Sequence, residues 1–229
     1  MVSAQRSAEL SASTVTRANA GKEFEFTEAD FSRVRKLIYQ AAGISLSDSK
    51  HEMVYSRLAR RLRATGISNF TRYLDMLESE VASDEWEAFT NALTTNLTSF
   101  FREHHHFPIL AEHIRKAAQP ISIWCCASST GEEPYSLAMT ACEAFGTLRP
   151  PVEIIATDID TNVLATAAAG IYSDDRIEKL SIEQKKKFFL RGTGRQQGLV
   201  RVRDDLRKLI TFKPLNLLSS SWPISGQFD

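Results

Sequence analysis

A chain of 229 residues, 43% hydrophobic and 24% charged, has a globular composition with material for one large core or two small ones. Its 28 basic residues balance 28 acidic ones, which excludes a bulk electrostatic attraction to nucleic acid or to a membrane surface. No apolar run approaches the ~20 residues that span a bilayer, and the small, polar N-terminus lacks the apolar stretch of a secretory signal.

Residues 1–23 read as a disordered tail. Residues 24–97 read as a small bundle of short helices. "TEADFSRVRKLIYQAAG" pairs Thr27 with Asp30 in a near capping box. It repeats Phe31, Val34, Ile38 and Ala41 at helical spacing and can stop at Gly43. "SDSKHEMVYSRLARRLRATG" carries Val54, Leu58 and Leu62 on one stripe, with Gly66 as a stop. "SNFTRYLDML" and "SDEWEAFTNAL" open on Ser68 and Ser83 as caps. Residues 98–119 are expected to form a linker helix. After Pro120 the period changes. "ISIWCCA" and "VEIIATD" are continuous apolar runs of strand length, each followed by a helical pattern, "GEEPYSLAMTACEAFG" and "TNVLATAAAG". "SIEQKKKFFL" is a further helix, and "GLVRVR" and "KLITFKPLNLL" are further strands. Alternating strands and helices predict an α/β fold, with a parallel sheet covered on both faces. Cys125 and Cys126 fall on the first buried strand and read as small core residues. The odd cysteine count, with two adjacent, argues for reduced thiols in a cytoplasmic setting.

In an open parallel sheet, ligands sit beyond the carboxyl ends of the strands. Two such ends are visible. Asp158 follows one strand directly, where a carboxylate can accept from both hydroxyls of a ribose. The other end opens into Ser128, Ser129, Thr130 and a single glycine, Gly131, not a G-x-G-x-x-G loop. Glu132 and Glu133 stand where a pyrophosphate would bind and would repel one. They suit a cationic, phosphate-free nucleoside such as S-adenosylmethionine. The competing reading is that they complement the helix dipole.

The run His104–His106 in "TTNLTSFFREHHHF" does not suit a metal, because adjacent helical side chains point about 100° apart and H-x-x-x-H spacing is absent. His106 is a candidate for packing at the domain junction, and Phe100 and Phe101 read as core. Arg102 is a candidate carboxylate ligand, with a surface salt bridge to Glu103 or Glu112 as the alternative. The second helix carries Lys50, Arg57, Arg60, Arg61 and Arg63, either a docking face or a solvated one. A nucleic-acid reading lacks interleaved aromatics.

"TTNLTSFFREHHHFPIL", "STGEEPYSLAM", "ATDIDTNVLATAAAGIY", "RGTGRQQGLVRVR" and "FKPLNLL" together resemble the CheR-type chemotaxis receptor methyltransferases, over about residues 24–229. The resemblance implies a helical N-terminal domain, a Rossmann-like methyltransferase domain over 120–229 and a small antiparallel β-subdomain near 188–208. It implies methyl transfer from S-adenosylmethionine to glutamates on the cytoplasmic helices of methyl-accepting chemoreceptors, with no membrane insertion and no nucleic-acid partner. It places Asn96, Thr98 and Arg102 in the donor pocket, one of Glu132 and Glu133 at the donor's amino end, Asp158 at the ribose, and Asn216 and Leu217 beside the adenine. It favours the basic helix (Arg57, Arg60, Arg61, Arg63) as a docking face for acidic receptor helices. It assigns the glycine-rich loop with Gly194 and Gly198 to a C-terminal receptor peptide. The family pattern continues past "FD" with an "FCRN" strand and an "IYF" tyrosine. The chain given stops at Asp229, so the expectation is a fragment or a protein missing one wall of its pocket. Alternatives are a non-catalytic receptor adaptor and a small-molecule methyltransferase.

Overall fold

The computed structural model describes residues 22–79 and 84–229. The expected tail lies outside them apart from Lys22 and Glu23, as does the cap assigned to Ser83. The chain divides into two compact units, residues 1–94 and 95–229.

The first unit is helical. Helix α1 (Glu28–Ala42) opens on the full Thr27/Asp30 capping box and closes on Gly43 at φ 70°. Helix α2 (His51–Thr65) ends at Gly66, also left-handed. Helix α3 (Phe70–Ser79) is capped by Asn69, not Ser68: the Asn69 side-chain oxygen accepts from the Arg72 amide at 2.9 Å. Helix α4 (Asp84–Leu93) completes the set. Their apolar stripes meet in one core that includes Val34, Ile38, Val54, Leu58, Leu62, Phe70, Leu74 and Phe89.

The second unit begins with turns, and its first helix, α5, spans His106–Lys116. The linker helix expected from residue 98 therefore starts later. Phe101 and Glu103 sit at φ 51° and 52°, outside the helical region, so a helix cannot run through them. Then come strand β1 (Ile121–Cys125), helix α6 (Glu132–Phe145), strand β2 (Val152–Asp158) and helix α7 (Thr161–Ala169). Strand β3 (Ile171–Ser173), helix α8 (Ile182–Phe188), strands β4 (Phe189–Arg191) and β5 (Leu199–Val202), the short helix α9 (Asp204–Arg207) and strand β6 (Ile210–Pro214) follow.

Two sheets result. β1, β2 and β6 pair in parallel, in the order β1-β2-β6, with Cys125 opposite Ala156 and Asp158 opposite Pro214. All three strands point the same way, so Cys125, Asp158 and Pro214 lie at one edge. Tyr135, Ala138, Met139 and Cys142 of α6 are fully buried in the core beneath. The small antiparallel sheet runs β3-β5-β4, with Tyr172 opposite Val200 and Leu190 opposite Arg201. It draws one strand from residues 171–173, well before the span read from the glycine-rich loop.

Candidate active site

The edge formed by the ends of β1 and β2 is tightly wired. Asp158, 9% exposed, accepts from the Ser129 amide at 2.8 Å and from the Asp160 amide at 3.0 Å, one through each carboxylate oxygen. Each oxygen keeps a further acceptor direction. Ser129 takes φ 47°, uncommon for a residue with a side chain. Its hydroxyl donates to the Asn96 carbonyl at 3.2 Å. The Asn96 side-chain amide donates to Asp160 at 2.8 Å. Asp160, nearly fully buried, caps α7 by accepting from the Asn162 and Val163 amides. Asp160 escaped the sequence reading, although an acidic residue just past a strand and just before "TNV" is a cap signal. The structure thus brings Asn96 to the tip of β2 beside Asp158.

The loop from β1 into α6 turns on Gly131, at φ 98°. A Cβ there would stand 2.8 Å from the Ala167 Cβ and 2.9 Å from the Tyr172 hydroxyl. Only glycine fits both the angle and the space. The next two residues diverge. Glu132 is fully buried. It accepts from the Thr130 hydroxyl at 2.6 Å and is ion-paired with Arg176. A donor-binding role for Glu132 is corrected on this ground, because its carboxylate is wholly enclosed and its charge is already matched by Arg176. Glu133 is exposed. It shares the wall of a cavity of about 330 Å³ with Arg102, Glu103, His106, Phe107, Leu110 and Leu137.

Arg102 is exposed and donates to the Leu97 carbonyl at 2.9 Å. The surface salt bridge weighed for it is not formed among the described residues: Glu112 pairs with Lys116 at 2.6 Å, and Glu103 sits 4.0 Å from His105. Thr98 is half-buried, and its carbonyl accepts from Arg176 at 3.2 Å. Just past β6, the Asn216 side chain accepts from the Leu218 amide at 3.0 Å, while Leu217 is 51% exposed. The Leu215 amide donates to the Asp158 carbonyl at 2.9 Å, which ties this segment to the same edge.

His104, His105 and His106 are exposed, and no metal-binding group occurs among the described residues. Phe100 is buried against Tyr172 and Phe189, and Phe101 packs edge-on to Phe107. Cys125 is buried, and burial pushes its thiol up, with the Glu133 charge adding to the effect. Cys126 is exposed, which corrects its reading as core: β1 ends one residue earlier.

The basic helix is also corrected in part. Arg57 donates to the Ala92 carbonyl at 3.1 Å and to that of Thr94. Arg61 grips Glu85 with two bonds, at 3.0 and 2.6 Å, and Glu85 also accepts from the Tyr73 hydroxyl at 2.6 Å. Both arginines are taken up in fastening α4 to its neighbours. Arg63 pairs with Glu23 at the surface, and Arg60 is exposed. In the glycine-rich loop, Gly194 and Gly198 are left-handed with open space around them. The tight position is Gly192, where a Cβ would stand 2.1 Å from the Gln196 carbonyl oxygen. A cavity of about 790 Å³ flanks the small sheet, walled by Glu178, Lys185, Phe189, Leu190 and Arg203 among others.

Known proteins resemble the chain over both units. Residues 96–229 match the family model described as CheR methyltransferase, SAM binding domain, and residues 29–94 match CheR methyltransferase, all-alpha domain. A chemotaxis protein methyltransferase of Escherichia coli (strain K12) is 50% identical over 203 residues, 89% of this chain and 71% of that protein. Its counterpart in Klebsiella aerogenes is 52% identical over 212 residues, 93% of this chain and 73% of that one. Chemotaxis protein methyltransferase 2 of Pseudomonas aeruginosa is 49% identical over 220 residues, 95% of this chain and 78% of that one. No helix among the described residues is long and apolar enough to cross a membrane. A buried-carboxylate loop at the tip of β1, an acidic tip on β2 and these matches over both units lead to one conclusion: the chain belongs to the CheR methyltransferase family, the S-adenosylmethionine-dependent methyltransferases of chemotaxis.

Proposed function

We propose that the chain esterifies glutamate side chains on the cytoplasmic helices of chemoreceptors, with S-adenosylmethionine held at the tips of β1, β2 and β6. The observation that carries this reading is that Glu133 and Arg102, an anion and a cation, line a single cavity. The amino-acid end of the donor is a zwitterion, and this pair complements it: Glu133 takes the ammonium, and Arg102 takes a carboxylate, that of the donor or of the substrate glutamate. Asp158 is fixed by two backbone amides and has acceptor capacity left for ribose hydroxyls. Asn216 and the exposed Leu217 offer an edge and an apolar face to a base. Asn96 and Thr98 serve through the backbone and through Asp160, shaping the wall.

The bound donor supplies a methyl group on a positively charged sulfur. The residues here have to hold the acceptor carboxylate in line with it and keep water out. An unperturbed glutamate has a pKa of about 4.3 and is already ionised at neutral pH, so no strong general base is required. Catalysis then rests on alignment and desolvation.

Two surfaces suit the protein partner. Arg60 and Arg63 remain on the exposed face of α2, able to steer acidic receptor helices. In the small sheet, β4 pairs only with β5 among the described residues, so its outer edge can accept a receptor's C-terminal peptide as an added strand, next to the loop that holds Gly194 and Gly198.

The test is transfer of tritiated methyl from labelled S-adenosylmethionine to membranes that contain chemoreceptors. Base-labile label on the receptor is the expected result. Donor binding without label would favour a non-catalytic adaptor and overturn the enzymatic reading.

A further inference from the structure

The sequence singles out Glu132 and Glu133 as a pair, and the structure separates them. Glu132 is an ionised-type side chain with no exposure, in the first turn of α6. Such a group is tolerated in a core only when it is paired and hydrogen-bonded. Its ion-pair partner, Arg176, lies 44 residues later, in the short 3-10 turn Asp174–Ile177 that follows β3. The same guanidinium donates to the Thr98 carbonyl at 3.2 Å. Arg176 therefore bridges two segments that form the donor site: the loop from β1 into α6 and the arm that runs from Asn96 to Arg102.

Tyr172, four residues before Arg176, makes a second grip on the same loop. Its hydroxyl donates to the Thr130 carbonyl at 2.7 Å and lies where a Cβ on residue 131 would collide. Thr130 in turn donates to Glu132 at 2.6 Å. Tyr172, Thr130, Glu132, Arg176 and Thr98 thus form one continuous polar network. None of these contacts needs the donor. Glu133 stands one residue on from Glu132, and Arg102 four residues on from Thr98.

We propose that Arg176 is a positioning residue for methyl transfer: by clamping Glu132 to Thr98 it locks the loop against the arm and so sets Glu133 and Arg102 on one cavity. This rests on the donor-site reading given above. Both bonds leave one guanidinium nitrogen, Nη2; lysine keeps the charge, but its ammonium sits one bond nearer the backbone and so cannot hold both acceptors at these distances.

The experiment is calorimetric binding of S-adenosylmethionine to the full chain and to its Arg176→Lys and Arg176→Ala variants, well below each protein's melting temperature. Methyl-transfer kinetics are measured in parallel. The expected result is a dissociation constant about tenfold higher for Arg176→Ala, partly restored in Arg176→Lys, with the variants folded. A stabilising ion pair with no positioning role would lower the melting temperature and leave donor affinity unchanged. Unchanged affinity in folded Arg176→Lys, together with unchanged KM for the donor, overturns the proposal and leaves the donor site standing. If Arg176→Ala does not fold, the lysine variant alone decides. Failure of the unaltered chain to bind S-adenosylmethionine would instead remove the donor site, and this inference with it.

Discussion

Asp158 is held by two amides before any ligand arrives, so its substitutions separate shape from charge. Asp158→Asn keeps the size and one acceptor oxygen but loses the carboxylate, and hydrogen bonds to charged groups are roughly twice as strong as neutral ones. Calorimetry with S-adenosylhomocysteine should give affinity about tenfold weaker for Asp158→Asn, and weaker still for Asp158→Ala, which leaves both the Ser129 and the Asp160 amides without this acceptor. Affinity equal to that of the unaltered chain would refute the ribose assignment. The place of Asp158 at the end of β2 was legible because a strand that ends in an acid, next to a helix, is a local pattern. The choice between Glu132 and Glu133 was not. The two are neighbours on one helix, pointing about 100° apart. What turns Glu132 inward is an arginine 44 residues away, and no local period records it. Cys126 failed for a related reason: an apolar run shows that a strand is buried, not at which residue it surfaces.

At the scale of elements, the continuous apolar runs of β1 and β2 and the glycine stops of α1 and α2 were legible because backbone geometry and burial write them locally. The start of α5 was hidden. The left-handed turns at Phe101 and Glu103 are supported by a contact from outside the segment, the Phe101 amide donating to the Ser136 hydroxyl at 2.9 Å. The same distinction governs the basic helix. Its charges could be read, but whether they face solvent depended on α4. Arg61 and Glu85 have side chains only 28% and 14% exposed, and Tyr73 donates to the same carboxylate. Arg61→Ala would leave Glu85 half-buried without its cation. Urea unfolding should show a loss of about 2 kcal/mol, whereas Arg60→Ala, on the exposed face, should stay within about 0.5 kcal/mol. Receptor methylation should respond the other way, with Arg60→Ala raising KM for receptor and weakening its salt dependence. Equal stability losses for the two variants would contradict the division of the helix into a packing side and an open side. The loop glycine makes a sharper case. Gly131→Ala combines a left-handed angle with two contacts under 3.0 Å, so a cost of roughly 1–3 kcal/mol is expected in the same measurement.

For the whole molecule, stability should depend on alkaline pH through buried phenols and a thiol. Tyr135 is fully buried, and burial pushes its phenol up to about 12; Cys142, on the same helix, is pushed up to about 11 by burial. Burial also raises Tyr73 in the first unit and Tyr172 in the second. In the unfolded chain these groups ionise near their ordinary values, about 8.5 for a thiol and about 10 for a phenol. Between those values and the folded ones, the folded state holds protons that the unfolded state has released. Stability therefore falls as pH rises, beginning near the unfolded thiol value and continuing through the folded value of Tyr135. The stabilisation is fully present below that window, neutral pH included, so stability should not change with these groups near pH 7. Tyr135→Phe isolates the effect. It forfeits the hydrogen bond from the Tyr135 hydroxyl to the Ala167 carbonyl, 2.8 Å long, and so should cost about 1 kcal/mol at pH 7. It also removes one titrating group, so its stability should decline less steeply above pH ~10, and the gap between variant and unaltered chain should narrow there. Chemical denaturation at a series of pH values from 7 to about 11 would measure both. Parallel curves for the two proteins would mean that the Tyr135 phenol ionises alike in both states and would remove burial as the source of its shift.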